Sequence, residues 1–143
     1  MFIAYNGDKI VEVDNDRDRI EDLCSECKII EGDLFSDKQR MLSLARVYKD
    51  KIVLLPTVII SLSKKSIKCN GEDTITISLS ISDLQPEEDV DKLTLKVNDA
   101  EIPIDMTGGK GEISLSCQVP GIYVVSIEDT GFLCSKRLLE ARK

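Results

Sequence analysis

A chain of 143 residues with 42% hydrophobic side chains can bury one respectable core or two small ones, since domains run about 50–200 residues. The formal net charge of −7, from 19 Lys and Arg against 26 Asp and Glu, opposes binding to phosphate backbones and anionic lipid, which rests on Lys/Arg neutralisation, so neither nucleic acid nor membrane is an expected partner. Histidine is absent, and with it go most catalytic triads and most catalytic metal sites, so no catalytic residue, cofactor or metal ligand is assigned.

Phe2-Ile3-Ala4-Tyr5 and Lys9-Ile10-Val11-Glu12-Val13 are β-prone runs around Asn6-Gly7-Asp8, and Asn-Gly supplies the positive φ angles of a tight hairpin. Asp14, Asn15 and Asp16 offer N-caps for a short helix ending near Cys27, whose apolar positions are Ile20, Leu23, Cys24 and Cys27. Lys28-Ile29-Ile30-Glu31 reads as a third strand, followed by a Gly32-Asp33 turn. Ser36 and Gln39 stand at capping-box spacing ahead of a second helix with the stripe Met41, Leu44, Ala45 and Tyr48, widened by Leu42 and Val47. Ile52-Val53-Leu54-Leu55 is a fourth strand stopped by Pro56. Residues 1–56 are thus expected to form a small α+β docking or assembly module of order ββαβαβ.

Beyond Pro56 the apolar period changes from 3.6 to 2, marking a domain boundary. Val58/Ile60/Leu62, Ile75/Ile77/Leu79/Ile81, Leu93/Leu95/Val97, Ile102/Ile104/Met106, Ile113/Leu115/Cys117/Val119 and Tyr123/Val125/Ile127 alternate with polar residues. Each run has one apolar face and one wet face. Turn signals at Asn70-Gly71, Gln85-Pro86, Asn98-Asp99, Gly108-Gly109 and Pro120-Gly121 separate them, which predicts a two-sheet sandwich over 57–143. Phe132–Lys136 reads as a last strand, with Arg137–Lys143 either extending it or trailing off as a charged tail.

The stretch Ile60 to Ser78, containing Asn70-Gly-Glu-Asp-Thr, resembles the bacterial Ig-like domains, as do Gly108-Gly-Lys-Gly-Glu-Ile-Ser-Leu and Pro120-Gly-Ile-Tyr-Val-Val-Ser-Ile. The resemblance covers roughly half the chain and implies an immunoglobulin-like sandwich of the kind found in bacteriophage virion proteins and bacterial adhesins. The N-terminal half is loosely similar to small phage-encoded modules with a Lys-Ile-Ile-Glu-Gly-Asp strand, a helix and an apolar strand running into Pro.

Cys24-Ser25-Glu26-Cys27 is a CxxC pair, open to a metal or redox reading and to plain packing of two thiols on a helix stripe. Packing is favoured, because there is no second CxxC. Cys69 and Cys117 fall in phase with the sandwich core, and free thiols are favoured there over a disulfide. Asp14-x-Asp16-x-Asp18 starts like a calcium loop but has Arg19 and Ser25 where Gly and Glu are required, so helix capping accounts for the acids. Glu87-Glu88-Asp89-Val90-Asp91 reads as a solvated loop, and Gly108-Gly109-Lys110-Gly111 as a hairpin turn feeding the strand Glu112–Val119.

The N-terminus lacks a basic region before its apolar residues, and no run of eighteen apolar residues occurs, so neither a secretory signal nor a membrane span is expected. The expectation is a non-enzymatic accessory protein of a phage or prophage virion, assembled in the bacterial cytoplasm. Its partners would be copies of itself or other virion proteins, with at most weak contact to host-surface glycan. The alternatives are a cell-surface adhesion module and a small thiol-redox protein using Cys24 and Cys27.

Overall fold

A computed structural model describes residues Met1–Lys143. The chain forms two compact units, Met1–Leu55 and Pro56–Lys143.

In the first unit, β1 (Phe2–Asn6) and β2 (Lys9–Asp14) are joined by a two-residue turn in which Gly7 takes φ +65°. α1 (Arg17–Leu23) follows, capped by Asp16, whose carboxylate accepts from the Asp18 amide at 3.0 Å. This bond satisfies one of the helix's orphan N–H groups. β3 (Lys28–Glu31) pairs with β1, giving the order β2-β1-β3. α2 (Lys38–Leu44) is capped by Asp37, which accepts from the Gln39 amide, so the cap lies one residue beyond Ser36. Next come β4 (Ala45–Tyr48) and β5 (Lys51–Leu54), an antiparallel pair whose turn residues Lys49 and Asp50 have φ 47° and 61°. Ile3, Tyr5, Ile10, Val13, Met41, Ala45 and Val47 make the core.

The second unit consists of β6 (Thr57–Leu62), β7 (Ser66–Lys68), β8 (Thr74–Ser82), β9 (Lys92–Val97), β10 (Ala100–Asp105), β11 (Lys110–Ser116), β12 (Gly121–Ile127), β13 (Leu133–Cys134) and β14 (Arg137–Arg142). They build a five-stranded sheet of order β10-β9-β12-β14-β7 and a four-stranded sheet of order β11-β8-β6-β13. Residues from both sheets share one core, among them Val58, Ile60, Ile75, Ile77 and Leu79 from one and Leu93, Leu95, Val125 and Leu139 from the other. This is a β-sandwich arrangement, in which each fully buried Leu, Ile or Val contributes about 1.5–3 kcal/mol. Most neighbouring strands are antiparallel, but β13 runs parallel to β6 and β14 parallel to β7.

The expected scheme of an α+β ββαβαβ module followed by a separate Ig-like sandwich is therefore corrected. The chain is mostly β, with fourteen strands, four sheets and only two helices, each of seven residues. α1 stops at Leu23, which is 57% exposed, so the stripe predicted through Cys27 does not form. The second helix ends at Leu44, because Ala45–Tyr48 pairs with Lys51–Leu54 across a tight turn. A helix this short gains little from propagation, whereas the hairpin secures a full ladder. Of the two alternatives for Arg137–Lys143, neither an extension of β13 nor a charged tail forms: residues Arg137–Arg142 are a separate strand, β14, which lies between β12 and β7 and buries Leu139 and Ala141.

Candidate functional site

The strands of the sandwich leave two surfaces able to meet another protein. One is the outer face of the five-stranded sheet. β12 and β14 pair with Val124 opposite Leu138 and Ile122 opposite Glu140. Because Tyr123 and Leu139 point inward, Ile122, Val124 and Leu138 share the outer face by strand alternation. Ile122 and Leu138 are each 65% exposed. A group of adjacent exposed aliphatic side chains is the usual mark of a contact surface.

The second surface is the free edge of the four-stranded sheet at β11. Ile113 and Leu115 point toward the core but are only half-buried, since no strand lies beyond them. At the start of this strand Gly111 lies so close to β10 that a Cβ there would be 2.7 Å from the Asp105 carbonyl oxygen and 2.5 Å from Met106 Sδ. Only glycine fits without movement.

The residues singled out in the sequence are placed as follows. Cys24 and Cys27 are joined in a disulfide with Cα atoms 5.5 Å apart, so they are neither free packed thiols nor part of a helix stripe. Both are half-exposed, and Cys24 is the C-terminal cap of α1. Reactive thiolates are favoured at the positive N-terminal end of a helix, and this pair sits at the opposite end. Cys69, Cys117 and Cys134 are unbonded. Burial pushes the Cys117 thiol up, with neighbouring Cys69 adding to the effect, and Tyr123 is raised by burial first, then by Cys117 and Cys69.

Asp14 and Asp16 are used locally, accepting from the Asp16 and Asp18 amides at 2.9 and 3.0 Å. That amide hydrogen bond leads the causes holding Asp14 below the usual carboxylate range. Glu12 is likewise lowered, first by the Lys38 ammonium at 3.0 Å. In the acidic loop Glu88 closes a turn, its carboxylate accepting from the Gln85 amide at 2.9 Å. Gly108 and Gly109, with φ +60° and +76°, form the turn between β10 and β11, with Thr107 and Lys110 bridged across it. No three His, Cys, Asp or Glu side chains converge in a way that could hold a metal ion.

Sequence reasoning missed the outer apolar face. Its visible signs were Leu138-Leu139 and Ile122-Tyr123-Val124-Val125, consecutive apolar residues that a strand must send to opposite faces. No protein-family model matches the chain, and no curated protein is similar enough to match it.

Proposed function

We propose that this chain is a non-enzymatic structural accessory protein of a phage or prophage particle, with Met1–Leu55 docking on the particle and Pro56–Lys143 presenting a contact surface. The reading is carried by Ile122 and Leu138, two large aliphatic side chains, each 65% exposed, diagonal to one another across the neighbouring inner strands β12 and β14. An apolar group of this kind fits a protein partner better than a small polar substrate, which needs convergent polar groups in a concave site. The Asn70-Gly-Glu-Asp-Thr74 and Pro120-Gly-Ile-Tyr123 motifs, which resemble those of Ig-like domains in virion proteins, support the same setting.

The half-exposed disulfide gives the thiol-redox reading one observation in its favour. Its place at the C-terminal end of α1 weighs against it, because the negative end of a helix disfavours the thiolate that exchange requires.

The test is to purify particles from the source cells and label them with an antibody against the chain, beside particles made with the double substitution I122K/L138K. The expected result is regular labelling of wild-type particles, with the variant still labelled, since it alters the presented contact surface and leaves the docking unit Met1–Leu55 untouched. A chain absent from purified particles overturns the proposal.

A further inference from the structure

We infer that β11 pairs edge to edge with β11 of a second copy, antiparallel and centred on Ser114, so that two four-stranded sheets become one continuous sheet. This names a partner for the contact role proposed above and rests on that reading for its setting.

The backbone decides which groups are on offer. The Ile81 amide donates to the Gly109 carbonyl, and Lys110 exchanges both of its backbone hydrogen bonds with Thr107 on the other side. In an antiparallel ladder the direction alternates residue by residue. Gly111, Ile113 and Leu115 therefore bond to β8, while Glu112, Ser114 and Ser116 turn their N–H and C=O groups outward. No strand lies on that side. Lys110 is closed off by Thr107, so these three residues are the open part of the edge.

The other edges of the sandwich are protected in the ways natural sheets use. β10 carries Pro103, which has no N–H to give, β7 has three residues, and β13 has two. β11 has seven residues and no proline.

The sequence of the edge fits itself. A two-fold axis at Ser114 puts Glu112 opposite the second copy's Ser116 and Ser114 opposite its counterpart, using every open group in about six backbone hydrogen bonds. No like charges then stand directly opposite one another. On the inner face Ile113 meets Leu115 of the other copy in the closely spaced non-hydrogen-bonded positions, where apolar pairs gain most. This covers the two side chains that the monomer leaves half-buried. Shifting the axis to Glu112 would set two carboxylates face to face, and shifting it to Ile113 would need the groups already held by Thr107. The strand ends at Ser116, so the second copy leaves the edge before it reaches Thr107.

The experiment measures the mass of the full chain by light scattering from millimolar to micromolar concentration, together with amide hydrogen exchange by NMR. The expected result is a dimer at high concentration, in which the Glu112, Ser114 and Ser116 amides exchange roughly tenfold or more slowly than on dilution. Gly111, Ile113 and Leu115 should be protected at both ends of the series. S114P removes an N–H that no internal bond uses and should leave a folded monomer. A wild-type chain that is monomeric throughout overturns the pairing, while particle labelling still decides the wider reading. A dimer in which the Glu112, Ser114 and Ser116 amides stay fast overturns the β11 edge as its interface, and this readout holds whether or not S114P folds.

Discussion

The hydroxyl of Tyr5 donates to the carboxylate of Asp50 at 3.0 Å, tying the first strand to the turn of the β4–β5 hairpin. This hydrogen bond is the main reason the Tyr5 phenol is raised above its ordinary value of 10.0, with burial and the Asp50 charge adding to it. A raised phenol favours folding fully below pH 10, and the contribution fades as pH climbs through the folded-state value. Ultraviolet titration should show Tyr5 and Tyr123 ionising late, and Asp50→Asn should bring the Tyr5 step alone earlier. An unchanged titration in that variant would break the link.

Asp73 gives the complementary case at the acid end. Its carboxylate takes the Lys64 ammonium at 2.5 Å and the Lys68 amide at 2.8 Å, and these two bonds, Lys64 first, hold it below the usual range. Its contribution is present above the ordinary carboxylate pKa and is lost as pH falls through the lowered one. Urea unfolding of Asp73→Asn should therefore lose less stability than wild type as pH falls from about 5 to about 2. Equal losses in the two proteins would remove Asp73 from the acid response.

The Cys24–Cys27 bond closes a loop of sequence separation 3, so its loop-entropy effect is small, roughly 2 kcal/mol or less. Reductant, or Cys24→Ser, should lower the stability of Met1–Leu55 by about that amount and leave Pro56–Lys143 unchanged. Rapid exchange with a glutathione buffer near neutral pH would contradict a purely structural bond and revive the redox reading.

Gly111→Ala would push a methyl group against the Asp105 carbonyl and Met106 Sδ. Because one of these contacts is backbone, the strand has to shift, at a cost of about 1–3 kcal/mol. Denaturant midpoints of wild type and variant measure it, and a neutral result would show that β10 and β11 separate freely.

Strict alternation made β8 and β9 legible, because Ile75/Ile77/Leu79 and Leu93/Leu95 keep one face apolar and the other polar; Val58/Ile60 and Tyr123/Val125 marked β6 and β12 although Ile59, Ile122 and Val124 lie on their outer faces. Where alternation weakens, the reading failed. Arg137-Leu138-Leu139-Glu140-Ala141-Arg142 has leucine on both faces, so a strand inside a sheet could be read equally as an extension of the preceding strand or as a charged tail. The opposite error came at Met41–Tyr48, where apolar spacing fits a longer helix. The turn that ends it uses Lys49 and Asp50 at positive φ, a conformation usually marked by Gly or Asn. The CxxC spacing was visible, but the bond was not, since the helix ends at Leu23 rather than continuing through Cys27. The open edge at β11 could not be read at all, because which strand lies outermost is a property of the sheet order and not of the strand.

β14 lies between β12 and β7, and β7 touches the five-stranded sheet through β14, with Ser66 opposite Glu140. Nearby partners can pair soon after they form, but β7 must wait for a closure of roughly seventy residues, an entropic delay that local hairpins do not face. The five-stranded sheet thus gains β7 late, and the time it spends without this edge strand is set by the arrival of residues 137–142.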